Sequence, residues 1–143
     1  PSIVQEQMDQ FYQLTGRRYN LFEYYGHEHP DRVIVIMGSG AGAVKETVDY
    51  LNTHGSHVGM VNVRLFRPLD VEAFTKALPK SVVSIAVLDR CKEPTGIGEP
   101  LYMNIVNALN EAQENHHAHV IGGRYGLSSK EFTPAMVKAV FRE

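Results

Sequence analysis

The residues of this 143-residue chain that could do chemistry fall into a few short stretches, and each suggests a different reaction. Cys91 stands between Arg90 and Lys92. Flanking cations lower a thiol pKa and favour the nucleophilic thiolate. No histidine or acid is placed by sequence as a base for it, so the plainer reading is an inert thiol. The same loop, Asp89-Arg90-Cys91-Lys92-Glu93-Pro94 with Gly98-Glu99-Pro100 beyond it, reads as a rigid interface loop crowded with charge. His116, His117 and His119 suggest imidazole ligands for a metal. They fall between a predicted helix and a predicted strand, and zinc would need further ligands. Imidazolium at a helix C-terminus is favoured by the macrodipole, which accounts for them without a metal. His54 and His57, bracketing Gly55, read the same way.

The glycine-rich stretch offers a nucleotide instead. Gly38, Gly40 and Ala43 fall on the G-x-G-x-x-[G/A] fingerprint, in which glycines admit a pyrophosphate to a helix N-terminus. An NAD site also needs an acid at the end of the second strand, and Arg64 and Arg67 stand there instead. Arginine suits a 2′-phosphate, so one function open to the chain is a free-standing NADP- or nucleotide-binding module using Gly38–Ala43 and Arg64. The structural alternative is that the glycines only permit a tight turn. Arg64 and Arg67 would then pair with acids of a neighbouring loop or domain rather than clamp an anion.

These residues need elements to hold them. Val33 to Met37 is a continuous, mostly β-branched apolar run, which predicts a strand buried on both faces. Ala43 to His54 follows as a helix with Val44, Val48 and Leu51 inward. Val58 to Leu65 predicts a second strand. Asp70 N-caps a helix that ends before Pro79, and Val82 to Leu88 predicts a third strand. Leu101 to Ala112 is a helix with Leu101, Ile105, Val106 and Leu109 inward. A short strand, His119 to Ile121, is closed by Gly122-Gly123. Thr133 and Pro134 open a last helix, with Met136, Val137, Val140 and Phe141 inward. The alternation predicts an α/β fold of three layers, a mainly parallel sheet with helices on both faces.

Residues 1–30 are expected to form an N-terminal helix, Ile3 to Leu14, and an aromatic linker. In that linker Tyr19 to Tyr25 lays its rings on the domain of residues 31–143. A substrate-stacking strip is the sharper reading of the same rings. Loops following the strands (Gly38–Gly42, Arg64–Pro68, Asp89–Pro100 and Gly122–Lys130) should gather at one sheet edge, where ligands or partners meet such folds.

Composition narrows the classes. The chain is 43% hydrophobic and 21% charged with a formal net charge of −2, which argues against a nucleic-acid surface. No apolar run approaches the roughly 20 residues of a membrane helix. Gln5, Glu6 and Gln7 stand where a secretory signal would be apolar, so a cytoplasmic site is expected. One cysteine excludes an internal disulfide and a four-thiolate cluster. A chain that starts at Pro1 and stops at Glu143 within a helical pattern is expected to be a piece of a larger polypeptide.

Taken in order, MGSGAGAVKETVDYLNTHG, VGMVNVRLFRPLD, VLDRCKEPTGIGEPLY and GGRYGLSSKEFTP, with FEYYG before them, resemble one domain of pyruvate:ferredoxin (flavodoxin) oxidoreductases. The most specific parts are Val63–Pro68, Asp89–Pro94 and Tyr125–Phe132. The resemblance implies a domain like the C-terminal domain of transketolase, following a pyrimidine-binding domain. It implies a parent that decarboxylates pyruvate on thiamine diphosphate and magnesium. The parent passes electrons through 4Fe–4S clusters to ferredoxin or flavodoxin, yields acetyl-CoA, and is a homodimer. It implies an architectural role for this domain, with catalytic, cofactor and metal residues elsewhere. Arg64, Arg67, Arg90, Lys92, Glu93, Arg124, Ser128, Ser129 and Lys130 are therefore expected to dock against other domains of the same polypeptide.

Overall fold

The computed structural model of the chain describes residues 1–112 and 118–143. Helix α1 (Ser2–Thr15) precedes strand β1 (Phe22–Gly26). Then β2 (Arg32–Met37), α2 (Gly40–Thr53), β3 (Val58–Val63), α3 (Val71–Ala77), β4 (Ser84–Asp89) and α4 (Pro100–Glu111) alternate. Strand β5 (His119–Arg124), a 3-10 turn at Leu127–Ser129 and α5 (Pro134–Val140) complete the order.

The sheet runs β1-β3-β2-β4-β5. Strands β3, β2, β4 and β5 are parallel, and β1 pairs antiparallel with β3. Successive side chains point to opposite faces of a strand. Thus Val33, Val35, Val61, Val63, Ile85 and Val87 meet Phe74 of α3 and Leu101 and Ile105 of α4. Ile34, Ile36, Met60, Ala86 and Leu88 meet Val44, Val48 and Leu51 of α2 and Val137 and Phe141 of α5. A buried apolar cluster thus lies on each face of the sheet, which is the three-layer arrangement expected from the strand pattern.

Three local readings are corrected. Tyr19 to Tyr25 is not simply a linker: Phe22–Gly26 is hydrogen-bonded into the sheet, so a boundary near residue 30 cuts through it. Phe22 packs edge-on against Phe74 at 5.5 Å between centroids, and the Tyr24 ring lies over Gly59, where any Cβ would collide with it. The Tyr24 hydroxyl donates to the His27 carbonyl at 2.6 Å, and burial pushes its pKa up to about 12. The rings are sheet core and rim, not a stacking strip.

Second, Gly122 and Gly123 do not close β5 but continue it, opposite Val87 and Leu88. A Cβ at Gly122 would stand 3.0 Å from the Tyr102 ring and one at Gly123 2.8 Å from Leu88. They are glycines for close approach rather than for turning. Third, Met136 is 49% exposed and Val106 is only half-buried; the buried residues of α4 are Leu101, Ile105 and Ala108. Neighbours on a helix are about 100° apart, so Val106 and Met136 sit to one side of the buried Ile105 and Val137.

Candidate functional site

The loops after β2, β3, β4 and β5 all leave the carboxyl ends of parallel strands, so they share one rim. From β2 the chain crosses to β3 on one side, and from β3 it crosses back to β4 on the other. The crevice between β2 and β4 is thus the switch point, where doubly wound sheets hold their ligands.

Here the protein fills that crevice with itself. Tyr125, just past β5, is 8% exposed and donates its hydroxyl to the Met37 carbonyl at 3.1 Å. Its ring lies over Gly40, where a Cβ would meet it at 2.7 Å. Burial pushes the Tyr125 pKa up, so the hydroxyl stays a donor at neutral pH. Arg90, past β4, donates from Nη1 to the Ser39 hydroxyl at 3.2 Å and from Nε to the Gly126 carbonyl at 3.3 Å. The tyrosine and the arginine together tie the ends of β2, β4 and β5. The fingerprint glycine that would admit a pyrophosphate admits a tyrosine ring instead.

A second cluster stands on the β4–α4 connection. Asp89 is fully buried, and its carboxylate accepts the amides of Leu101 at 2.9 Å and Tyr102 at 3.0 Å. Those are orphan donors of the first turn of α4, whose own N-cap side chain makes no such bond. The Cys91 thiol lies 3.8 Å from the same carboxylate. Burial, and then the negative charge of Asp89, push that thiol pKa up. A lowered thiol pKa, suggested by the flanking Arg90 and Lys92, is therefore wrong for this site. Arg90 turns away to Ser39 and Gly126, leaving the thiol among acids.

Glu99 is 5% exposed and forms an ion pair with Arg124 at the end of β5. Its other oxygen accepts the Glu93 amide at 2.6 Å. The Arg124 hydrogen bond holds the Glu99 pKa below the ordinary carboxylate value. The Glu93 carboxylate accepts the Thr95 hydroxyl at 2.6 Å, which holds its pKa down as well. So Glu93, Glu99 and Arg124 brace the Glu93–Gly98 loop against β5. At its tip Ile97 is 94% exposed.

Arg64 sits past β3, paired with Glu23 at 2.8 Å and stacked over the Tyr19 ring at 4.5 Å. Arg67 lies over Phe66 at 4.6 Å and reaches Asn104 at 3.5 Å. Both, with Lys92, Arg124, Ser128, Ser129 and Lys130, are exposed. Ser128 and Ser129 hold φ of 52° and 61°, a region that bulky side chains avoid. Ring packing accounts for His54 and His57: His54 lies 4.2 Å from the Tyr50 ring, and His57 stacks on His27 at 4.2 Å. His119 opens β5, whereas His116 and His117 lie outside the described residues. Among the described residues no group of three or more His, Cys, Asp or Glu is placed to hold a metal. No helix of the described residues is long and apolar enough to cross a membrane.

Sequence reasoning named the charges of the rim but not what organises them. Tyr125 appeared only inside a motif, and nothing local marks it as the plug of a crevice 88 residues upstream. The signal available was a tyrosine two residues after a glycine pair, just past a strand end.

Known proteins resemble this chain in sequence and fold. The family model of the pyruvate:ferredoxin oxidoreductase core domain II matches residues 30–133. A pyruvate-flavodoxin oxidoreductase of Rhodospirillum rubrum is 60% identical over the whole of this chain, which spans only 12% of that protein. A solved 2-oxoglutarate:ferredoxin oxidoreductase from Magnetococcus marinus, with 2-oxoglutarate, coenzyme A and succinyl-CoA bound, superposes with a TM-score of 0.61 at 24% identity. The match covers 93% of this chain and 21% of that one. A split-gene transketolase, described as an inactive β4 tetramer, covers 88% of this chain and 39% of its own, with a TM-score of 0.56 at 16% identity. Those two structures share the fold, which is thus of the transketolase C-terminal type. A family match over most of the chain, with its motifs on one rim, leads to one assignment: the chain belongs to the pyruvate:ferredoxin oxidoreductase core domain II family.

Proposed function

We propose that the chain is an architectural and docking domain of a larger pyruvate:ferredoxin or pyruvate:flavodoxin oxidoreductase, and that it carries out no reaction alone. One observation carries the reading. The switch-point crevice is closed by Tyr125 and Arg90, while Arg67, Lys92, Arg124 and Lys130 stand exposed on the rim around it. A rim braced from within and charged without suits other protein surfaces better than a small ligand. Arg64, Ser128 and Ser129 extend the same surface, and Glu93 stiffens one of its loops.

The parent would convert pyruvate and coenzyme A to acetyl-CoA and CO2, handing two electrons to ferredoxin or flavodoxin. Thiamine diphosphate with magnesium would supply carbanion stabilisation, and 4Fe–4S clusters would carry the electrons. The residues here do not fit a cluster, which takes four thiolates against the single Cys91. Those groups belong to other domains in this reading, and the parent would be a cytoplasmic homodimer. The NADP-module alternative is disfavoured, because the ring of Tyr125 occupies the approach to Gly40 and Glu23 engages Arg64.

The test is turnover. The isolated chain, given pyruvate, thiamine diphosphate, magnesium, coenzyme A and a viologen acceptor, should reduce none of the dye. Reversing Arg67 and Lys92 to glutamate in the full-length polypeptide should weaken its assembly, read by sedimentation. Turnover by the chain alone, or an assembly indifferent to both reversals, would refute the proposal.

A further inference from the structure

We propose that the outer edge of β5 receives an extended segment from elsewhere in the same polypeptide, added to the sheet as a further strand. This deepens the docking reading and rests on it. The backbone supplies the first observation. The His119 amide donates to Val83 at 2.9 Å and the Tyr125 amide to Asp89 at 3.0 Å, both toward β4. In a parallel ladder the N–H and C=O of one residue face the same neighbour, so alternate residues face opposite ways. Val120, Gly122 and Arg124 therefore turn their N–H and C=O groups outward, on the last strand of the sheet order.

The second observation is that, among the described residues, the strand itself carries few of the usual defences. Sheet edges are commonly blunted by lysine, proline, a bulge or a very short strand. Strand β5 is as long as β4, contains neither lysine nor proline, and pairs without a bulge from His119 to Arg124. Its one cation, Arg124, is drawn to Glu99.

The third is a groove beside the edge, of about 470 Å³, lined by Ile97, Gly98, Glu99, Tyr102, Gly122 and Arg124 among others. Side chains at Gly98 or Gly122 would collide with the Tyr102 ring, so the glycines let that ring lie close along the edge as one wall of the groove. Ile97, 94% exposed, rises at the lip on a loop braced by Glu93 and Glu99. Strand addition combines these features: backbone bonds give affinity, and side pockets read alternate side chains. The occupant is an extended strand with an apolar side chain that lies between Ile97 and Tyr102. The chain spans 12% of its Rhodospirillum rubrum relative, so a tethered polypeptide offers such segments at high effective concentration.

Residue-resolved hydrogen exchange, on the chain alone and within the full-length polypeptide, tests this. The Ile121 and Gly123 amides, bonded to β4, should be protected in both and report that the chain is folded. The Val120, Gly122 and Arg124 amides should exchange freely in the chain alone and about 100-fold more slowly in the full-length protein, a shift typical of local pairing. Ile97→Asp, at an exposed loop tip, should cut that slowing without changing Ile121 or Gly123. Val120→Pro should abolish it at Gly122 and Arg124. Equal rates at these three amides in both settings overturn the proposal. If loops at Arg67 and Lys92 are nonetheless slowed, the docking reading survives that failure. Protection that appears in the chain alone and grows with its concentration would make the occupant a second copy, and overturn the proposal as well.

Discussion

The Tyr125 hydroxyl donates to the Met37 carbonyl at 3.1 Å, and that bond lays its ring across Gly40, the residue a dinucleotide would need bare. A residue that follows the last strand thereby closes the end of the first parallel one. The contact decides between two readings of the same glycines.

Gly40→Ala places a Cβ 2.7 Å from the Tyr125 ring and 2.9 Å from Ile36. Overpacking of this kind costs about 1–3 kcal/mol. Tyr125→Phe should cost about 1 kcal/mol, for one lost hydrogen bond. Because the two residues touch, Gly40→Ala should cost much less in a Tyr125→Ala background. Urea denaturation of the four chains of that cycle measures the coupling, and strictly additive costs would show the contact to be idle.

Arg64 should matter little to stability and not at all to nucleotide. Its pair with Glu23 is about one-third exposed, and such pairs contribute about 0–1 kcal/mol. Calorimetry should register no heat on titrating NADPH into the chain. Saturable heat lost in Arg64→Ala would restore the nucleotide-module reading.

The Glu99–Arg124 pair gives the rim an acid limit. The folded pKa of Glu99 lies below its unfolded value, so its contribution is present at neutral pH. It begins to be lost as pH falls past the ordinary value of about 4.3 and is gone below the lowered one. Glu93, held down by Thr95, acts with the same sign. Thermal melts should therefore fall in that acid window, and Glu99→Gln should melt lower at pH 7 yet show a shallower acid fall. An unchanged acid limb in Glu99→Gln would contradict the assignment.

Cys91 should resist alkylation. With its pKa pushed up by burial and by Asp89, iodoacetamide at neutral pH should label it more slowly than a free cysteine. Asp89→Asn should speed labelling, although it also weakens the start of α4. Labelling faster than the free amino acid, followed by mass spectrometry, would revive a reactive thiol.

What could be read from the residues follows from burial. Strands β2 and β4 are covered on both sides, so their apolar runs carried no ambiguity. The two edge strands are harder to read, because the partners that hold them come from elsewhere: Gly59 receives Tyr24, and Tyr102 covers Gly122. A glycine that makes room for a distant ring looks, in sequence, like one that makes a turn. Charges behaved likewise. Arg90 and Lys92 flank Cys91 along the chain, yet its sulfur lies 3.8 Å from the Asp89 carboxylate while Arg90 turns to Ser39 and Gly126, since neighbours in sequence need not be neighbours in space. The rim loops were legible from their position after strands, whereas the closure of the crevice by Tyr125 was not.

The notch at Gly59 has a bearing on where this unit can be cut. The family match starts at residue 30, after the aromatic segment. A version trimmed there would surrender Leu21, Phe22 and Tyr24, uncovering Val61 and Val63 beneath them and leaving β3 as a raw, greasy border. The recognisable core of the family is thus smaller than the piece that can keep itself dry.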